Sequence, residues 1–142
     1  VATITWGELQ DVPIVWGDGN EQLEDRKVVC QFANSKQFSE HGSHWLLAQN
    51  YGQFASLGEA TVGQEVVIKS GDVESTYQIT YSGVGTVTDD YSTVVDGEDK
   101  PLLQLDDIED VLYMYTSYPF DSLDISTQRY VVVGRLISQR VV

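Results

Sequence analysis

The sequence predicts an all-β domain of seven or eight strands, and three observations carry that expectation. Runs rich in Val, Ile, Thr, Tyr and Trp recur at 2–6, 12–16, 27–33, 61–69, 74–82, 111–117 and 129–138. Turn-forming clusters separate them, as at Gly17-Asp18-Gly19-Asn20, Ser70-Gly71-Asp72 and Val95-Asp96-Gly97-Glu98. Only one stretch carries a helical period, so helix is a minor component.

Taken in chain order, 2–6 alternates apolar and polar side chains, whereas 12–16 and 27–33 are nearly continuous apolar runs. The stretch 45–57 reads as a short helix. Trp45, Leu46, Leu47, Tyr51, Phe54 and Leu57 recur there at three- and four-residue spacing ahead of Gly58, with a break near Asn50-Tyr51-Gly52. The runs 61–69 and 74–82 are joined by Ser70-Gly71-Asp72, which predicts a hairpin. Residues 87–110 then change character, with nine acids against the single base Lys100. This is a solvated connection, long enough to suggest a functional loop. A divalent-ion site, calcium included, is the sharper reading, but the spacing lacks the regularity of an EF-hand loop. The runs 111–117 and 129–138 complete the set.

Composition narrows the function. Twenty-two Asp and Glu against eight Lys and Arg give 142 residues a formal charge of -14, which repels phosphate backbones and anionic lipid surfaces. A nucleic-acid partner or membrane contact by this segment is therefore not expected. The length is that of one domain over 1–142, and an apolar share of 42% supplies a core. No stretch approaches the ~20 apolar residues that cross a bilayer. The chain opens at Val1, so any anchor is expected upstream.

Few residues carry candidate chemistry. His41 and His44 sit three apart in a polar stretch with Glu40 as the only further ligand nearby, and they read as exposed loop residues rather than a metal pair. No metal or cofactor is expected. Cys30 lies in Val28-Val29-Cys30 and reads as a small buried hydrophobe pointing into the core. Ser117 ends a strand just before Tyr118-Pro119, where a side chain can face a cleft. Arg129 opens the last strand, and its guanidinium suits a carboxylate or a developing oxyanion; the alternative is a surface ion pair with one of the acids.

The run 112–117 with its continuation Thr116-Ser117-Tyr118-Pro119-Phe120-Asp121, followed twelve residues on by Arg129-Tyr130-Val131-Val132, resembles the sortase signature. In that signature one strand ends in Thr-Cys and the next begins with Arg. Upstream, Ile14-Val15-Trp16-Gly17 is similar to the early Pro-Val-Val-Gly-like stretch of sortases, and residues 50–57 to the helix that follows their catalytic His. Residues 61–68 resemble the Gly-Asp-Glu-Ile strand, and Tyr77-Gln78-Ile79 the Tyr-x-Val of the next. The resemblance implies a closed β-barrel with one or two short helices, at the extracellular face of a bacterial cell and membrane-anchored in the full-length protein. It also implies thiolate attack on an LPXTG-like sorting signal, then transfer of the acyl group to an amine.

Two departures fall on the chemistry. Ser117 stands at the Cys position, and Asn34, after the run 28–32, takes the His position; Arg129 alone is retained. A Ser hydroxyl needs an adjacent general base, and a neutral amide is not one. The expectation is a catalytically degenerate domain that keeps a groove for a peptide sorting signal or surface protein. Arg129 would hold a carbonyl or carboxylate, with Tyr115, Thr116, Tyr118 and Phe120 as substrate-binding residues. His41 or His44 is the alternative base. A Cys-to-Ser variant of an active enzyme and a non-catalytic module acting through the acidic 87–110 segment are the alternatives.

Overall fold

In a computed structural model, which describes residues 2–17, 27–32, 35–38, 40–50, 52–89, 93–104, 109–120 and 127–142, the β-rich runs become nine strands. They are β1 (Ala2–Trp6), β2 (Leu9–Trp16), β3 (Val29–Gln31), β4 (Ser43–Leu47), β5 (Glu65–Ser70), β6 (Val73–Val87), β7 (Val94–Val95), β8 (Val111–Tyr118) and β9 (Gln128–Val141). The sheet runs β5-β1-β2-β3-β4-β8-β9-β6-β7, and β5 also pairs with β6. Eight strands therefore close into a barrel and β7 lies outside it, as the all-β expectation requires. The β5–β6 hairpin turns at Gly71, whose φ of 59° a side chain would strain. Two register shifts in the long β6–β9 ladder, at Thr76/Tyr77 and Ile79/Tyr81, bend those strands around the barrel.

Strand alternation sorts side chains into two apolar clusters. Ile14, Val29, Leu46, Ile79, Leu112, Met114 and Val132 fill the interior. On the outer face of β4, β8 and β9, Trp45, Tyr113 and Val131 are covered by Val94 and Leu103. The described part of the acidic segment is thus not simply a solvated connection. Residues 93–104 form a strap lying on the barrel, with the Trp45 indole N–H donating to the Gln104 carbonyl at 3.1 Å. Gly85 gives the strap its seat, since a Cβ there would come within 2.5 Å of Val94 and 2.7 Å of Leu102.

Among the described residues the expected helix over 45–57 is absent. Residues 43–47 are strand β4, and only Leu57–Glu59 form a 3-10 turn. The physical reason is burial on both faces: Leu46 points into the barrel while Trp45 is covered by the strap, so the strand shows no alternation. Likewise, of the described residues in the 27–33 run, only Val29–Gln31 are strand.

Candidate functional site

β4 runs parallel to β8 with Leu47 beside Tyr115, and β9 runs antiparallel on its other side with Arg129 opposite Ser117. Leu112 and Met114 face the interior, so Tyr113, Tyr115 and Ser117 face out. On β4 and the two residues that follow it, the interior takes Leu46 and Ala48, which leaves Trp45, Leu47 and Gln49 outside. The paired register ends at Leu47 and Tyr115, and Gln49 follows Leu47 by two residues as Ser117 follows Tyr115. Gln49, just past the end of β4, forms a row with Ser117 and Arg129 in a cleft of about 230 Å³ bordered also by Leu47, Ala48, Tyr115 and Thr116.

Side chains hold the two strand ends together beyond their last backbone pairing. The Thr116 hydroxyl donates to the Ala48 carbonyl at 2.7 Å. Buried Asn50 donates its amide to the carbonyls of Ser117 at 3.3 Å and Pro119 at 3.0 Å. These bonds fix where Ser117 sits relative to Gln49. Among the described residues no hydrogen bond engages the Ser117 hydroxyl or the Gln49 carboxamide. Arg129 is half-buried and donates from Nη1 to the Gln128 carbonyl at 2.8 Å. Burial depresses its pKa, with Tyr115 acting in the opposite sense, yet a guanidinium stays charged throughout the usable range.

The profile of the Sortase domain matches residues 7–137. The chain belongs to the sortase family. Among solved structures it is similar to sortase A of Listeria monocytogenes, with a TM-score of 0.75 and 13% identity over 100% of this chain and 90% of that one. It is also similar to sortase C1 of Streptococcus agalactiae, with a TM-score of 0.73 and 22% identity over 96% of this chain and 67% of that one. Sortase E of Streptomyces avermitilis gives 0.65 and 20% identity over 90% and 79%. At such identities the likeness speaks for the fold. No curated protein matches the sequence significantly. Sortases form a transpeptidase class that acts on surface-protein sorting signals at the bacterial cell surface. Among the described residues of this sortase domain, no helix is long and apolar enough to cross a membrane.

The sortase domain brings together only part of the expected site. Ser117, Arg129 and Tyr115 share the cleft face. Thr116 borders the cleft, but its hydroxyl is committed to Ala48. Tyr118 and Phe120 do not wall the cleft: they cluster with Tyr130, the Phe120 and Tyr130 rings 5.4 Å apart, against the interior. Alternation along β8 explains this, because Tyr118 falls on the same face as Thr116 and Met114.

His41 and His44 are not brought to Ser117. His44 pairs with Leu112, five residues down β8 from Ser117, or about 16 Å at roughly 3.3 Å per residue. Its Nδ1 lies 2.7 Å from the Lys36 carbonyl and its ring packs on Phe38; burial pulls its pKa down. His44 is therefore no exposed loop residue. His41 is exposed, with Nδ1 3.1 Å from Asp110 at the same far end. Neither serves as the alternative base from there.

Asn34 lies outside the described residues. The strand before it, β3, sits between β2 and β4 and does not touch β8. Gln49 is the cleft residue that sequence reasoning missed. The signal was present: if residues 50–57 resemble the segment after the sortase His, the His position falls just ahead of Asn50. Cys30 is buried, but not in the barrel interior. It pairs with Leu47 and so shares that residue's outer face, two strands away from Ser117. At ~4.8 Å per strand that is about 10 Å, too far to replace Ser117 as nucleophile. Among the described residues, no three His, Cys, Asp or Glu side chains gather closely enough to hold a metal ion.

Proposed function

We propose that this domain is a catalytically degenerate sortase that binds a sorting-signal-like peptide at the row Gln49, Ser117, Arg129 without cleaving it. One observation carries the reading: the outward-facing Ser117 shares a cleft with Gln49, two residues past the end of β4, and with Arg129, its partner on β9. Gln49 stands at the position of the family's His. Attack by Ser117 needs a neighbour that accepts its proton at neutral pH, and neither Gln nor Arg does so. Loss of nucleophile and base together removes the activity of a constellation that works as a unit. Arg129 keeps the binding role, gripping a main-chain oxygen of the peptide.

The experiment is incubation of the domain with an LPXTG-like peptide. Binding without cleavage and without a covalent adduct is expected, and Arg129→Ala weakens binding about tenfold or more, in line with a lost charge-assisted hydrogen bond. Turnover by the unaltered chain overturns the degenerate reading. Equal affinity of the Arg129→Ala form overturns the role of the arginine. Salt tests the rival reading through the acidic segment, since affinity collapsing with modest added salt favours a charged surface over the cleft.

A further inference from the structure

The barrel has a pocket at its other end, where Phe38 packs on His44 and away from the cleft row. Partnered residues on neighbouring strands share a face, and the register places Ser70, Ala2 and Ile14 in line across β5, β1 and β2. Ala2 and Ile14 pack with the interior cluster, so this line faces inward. Trp16, two residues past Ile14, falls on the same face beside its β3 partner Gln31. With Gln37 and Phe38 from the segment after β3, these side chains line a barrel mouth of about 430 Å³. Small-molecule sites have that size and are found in such mouths.

The lining restricts what the mouth can take. Gln31 is only 5% exposed, and its Nε2 donates to the Lys36 carbonyl at 2.8 Å. Its Oε1 accepts no hydrogen bond among the described residues and is not sealed off, so it opens to the pocket. The Gln37 carboxamide, the Ser70 hydroxyl and the Trp16 indole N–H are likewise unengaged among the described residues, and the indole is 44% exposed. No described lining residue is charged, in a chain with 22 Asp and Glu. An ionic ligand therefore finds no counter-charge here. A peptide finds no strand to pair with, because β5, β1, β2 and β3 are already bonded to one another in series. We infer that the barrel mouth binds a neutral saccharide, with a sugar ring stacked on Trp16 and its hydroxyls bonded to Gln31, Gln37 and Ser70. The C–H face of the ring covers the exposed indole. Hydroxyls both donate and accept, so they serve the bare Oε1 of Gln31 and the mixed groups of Gln37 alike. The site is separate from the cleft and does not depend on the peptide reading.

The test is a titration of the intact, isotope-labelled domain, followed by NMR, with glucose, N-acetylglucosamine, cellobiose, glucuronate and N-acetylprolinamide. The chain has three Trp, and the Trp16 indole N–H signal is the one that Trp16→Phe removes. That signal is expected to shift saturably with at least one neutral sugar, which binds about tenfold or more tighter than glucuronate or the prolinamide. Trp16→Ala, followed on the backbone signals of the mouth, weakens that sugar about tenfold or more. Gln31→Met, shown by a thermal melt to stay folded, weakens it by about three- to tenfold, the range of one hydrogen bond. Gln37→Ala, at an exposed position, carries the same test at about threefold should Gln31→Met unfold. No saturable shift with any neutral sugar overturns the assignment. Prolinamide or glucuronate binding as tightly as the sugars overturns the ligand class, and unchanged affinity in Trp16→Ala overturns the location.

Discussion

The two ends of the β4–β8 pair are built from the same parallel strands and do opposite things. At one end, Gln49 and Ser117 face outward into a cleft beside Arg129. At the other, His44 is turned inward, buried against Phe38 and hydrogen-bonded to the Lys36 carbonyl. The residue type that acid–base chemistry needs is present in the chain, but it sits about five residues down the strand and on the opposite face. A histidine on the same strand as the site is thus not a histidine in the site. What separates the ends is strand parity and length: the imidazole is a packing element at one end, and the cleft residues described at the other include none.

The sharpest way to break this contrast is to move the chemistry to the cleft end. Ser117→Cys alone supplies a nucleophile without a base, whereas Ser117→Cys with Gln49→His supplies both in adjacent positions of one row. General-base assistance contributes typically 10²–10⁴-fold. The double variant should therefore hydrolyse an LPXTG-like peptide faster than Ser117→Cys by about that factor, read by mass spectrometry of the product. Ser117→Cys with Asn34→His is the control and should behave like the single variant. If the Asn34 version is the active one, Gln49 is not the partner of Ser117. If Ser117→Cys alone matches the double variant, the domain is an active sortase that lacks only its thiol.

The next effect concerns the clamp. Asn50→Ala removes a buried amide that serves two carbonyls, those of Ser117 and Pro119, and leaves both without that donor. Pro119 is exposed and Ser117 half-buried, so water can reach both carbonyls, and a urea titration should show only the loss of ordinary hydrogen bonding, about 0.5–1.5 kcal/mol. Peptide affinity should fall as well, because the Ser117 backbone is no longer pinned to β4. A variant as stable as the parent would mean that water replaces the amide at no cost. Thr116→Val probes the neighbouring bond to Ala48 with little change of shape, and about 1 kcal/mol is expected from its loss. The comparison sharpens if Asn50→Ala harms binding more than Thr116→Val, since Asn50 acts directly on the Ser117 carbonyl.

Much of this was legible in the sequence, and the failures have physical causes. The hairpin at Gly71 and the Ser117 to Arg129 spacing were readable because turn chemistry and antiparallel register are local. β4 was not, because a strand buried on both faces shows no alternation and its Trp45-Leu46-Leu47 run joins Phe54 and Leu57 in a false helical period. Losing β4 hid Gln49. The misplacement of Tyr118 and Phe120 was avoidable: if Ser117 and Arg129 face a cleft, alternation alone excludes Tyr118 from it. The strap over 93–104 was masked by its acids, although Val94 and Leu103, the residues that anchor it, stand among them.

The smallest expected effect lies at the far end and is a slope with pH. Burial lowers the pKa of His44 from its ordinary value of 6.5, with the Lys36 carbonyl, Asp110 and Glu40 opposing the shift and His41 adding to it. Below pH 6.5 the unfolded chain takes up a proton on His44 that the folded chain refuses, so protons favour unfolding. The stability His44 contributes is complete above that pH and is lost progressively as pH falls toward its depressed folded value. Denaturant titrations at pH 7.5 and pH 5.5 should show the parent losing more stability than His44→Gln, which has no titrating ring. His41→Gln is the control, since that exposed imidazole is paired with Asp110 rather than buried. Equal losses in the parent and His44→Gln would mean that His44 opens to solvent at little cost. Peptide binding at the cleft should lose no more on that change of pH than the folded fraction does, because the titrating group stands about 16 Å from Ser117.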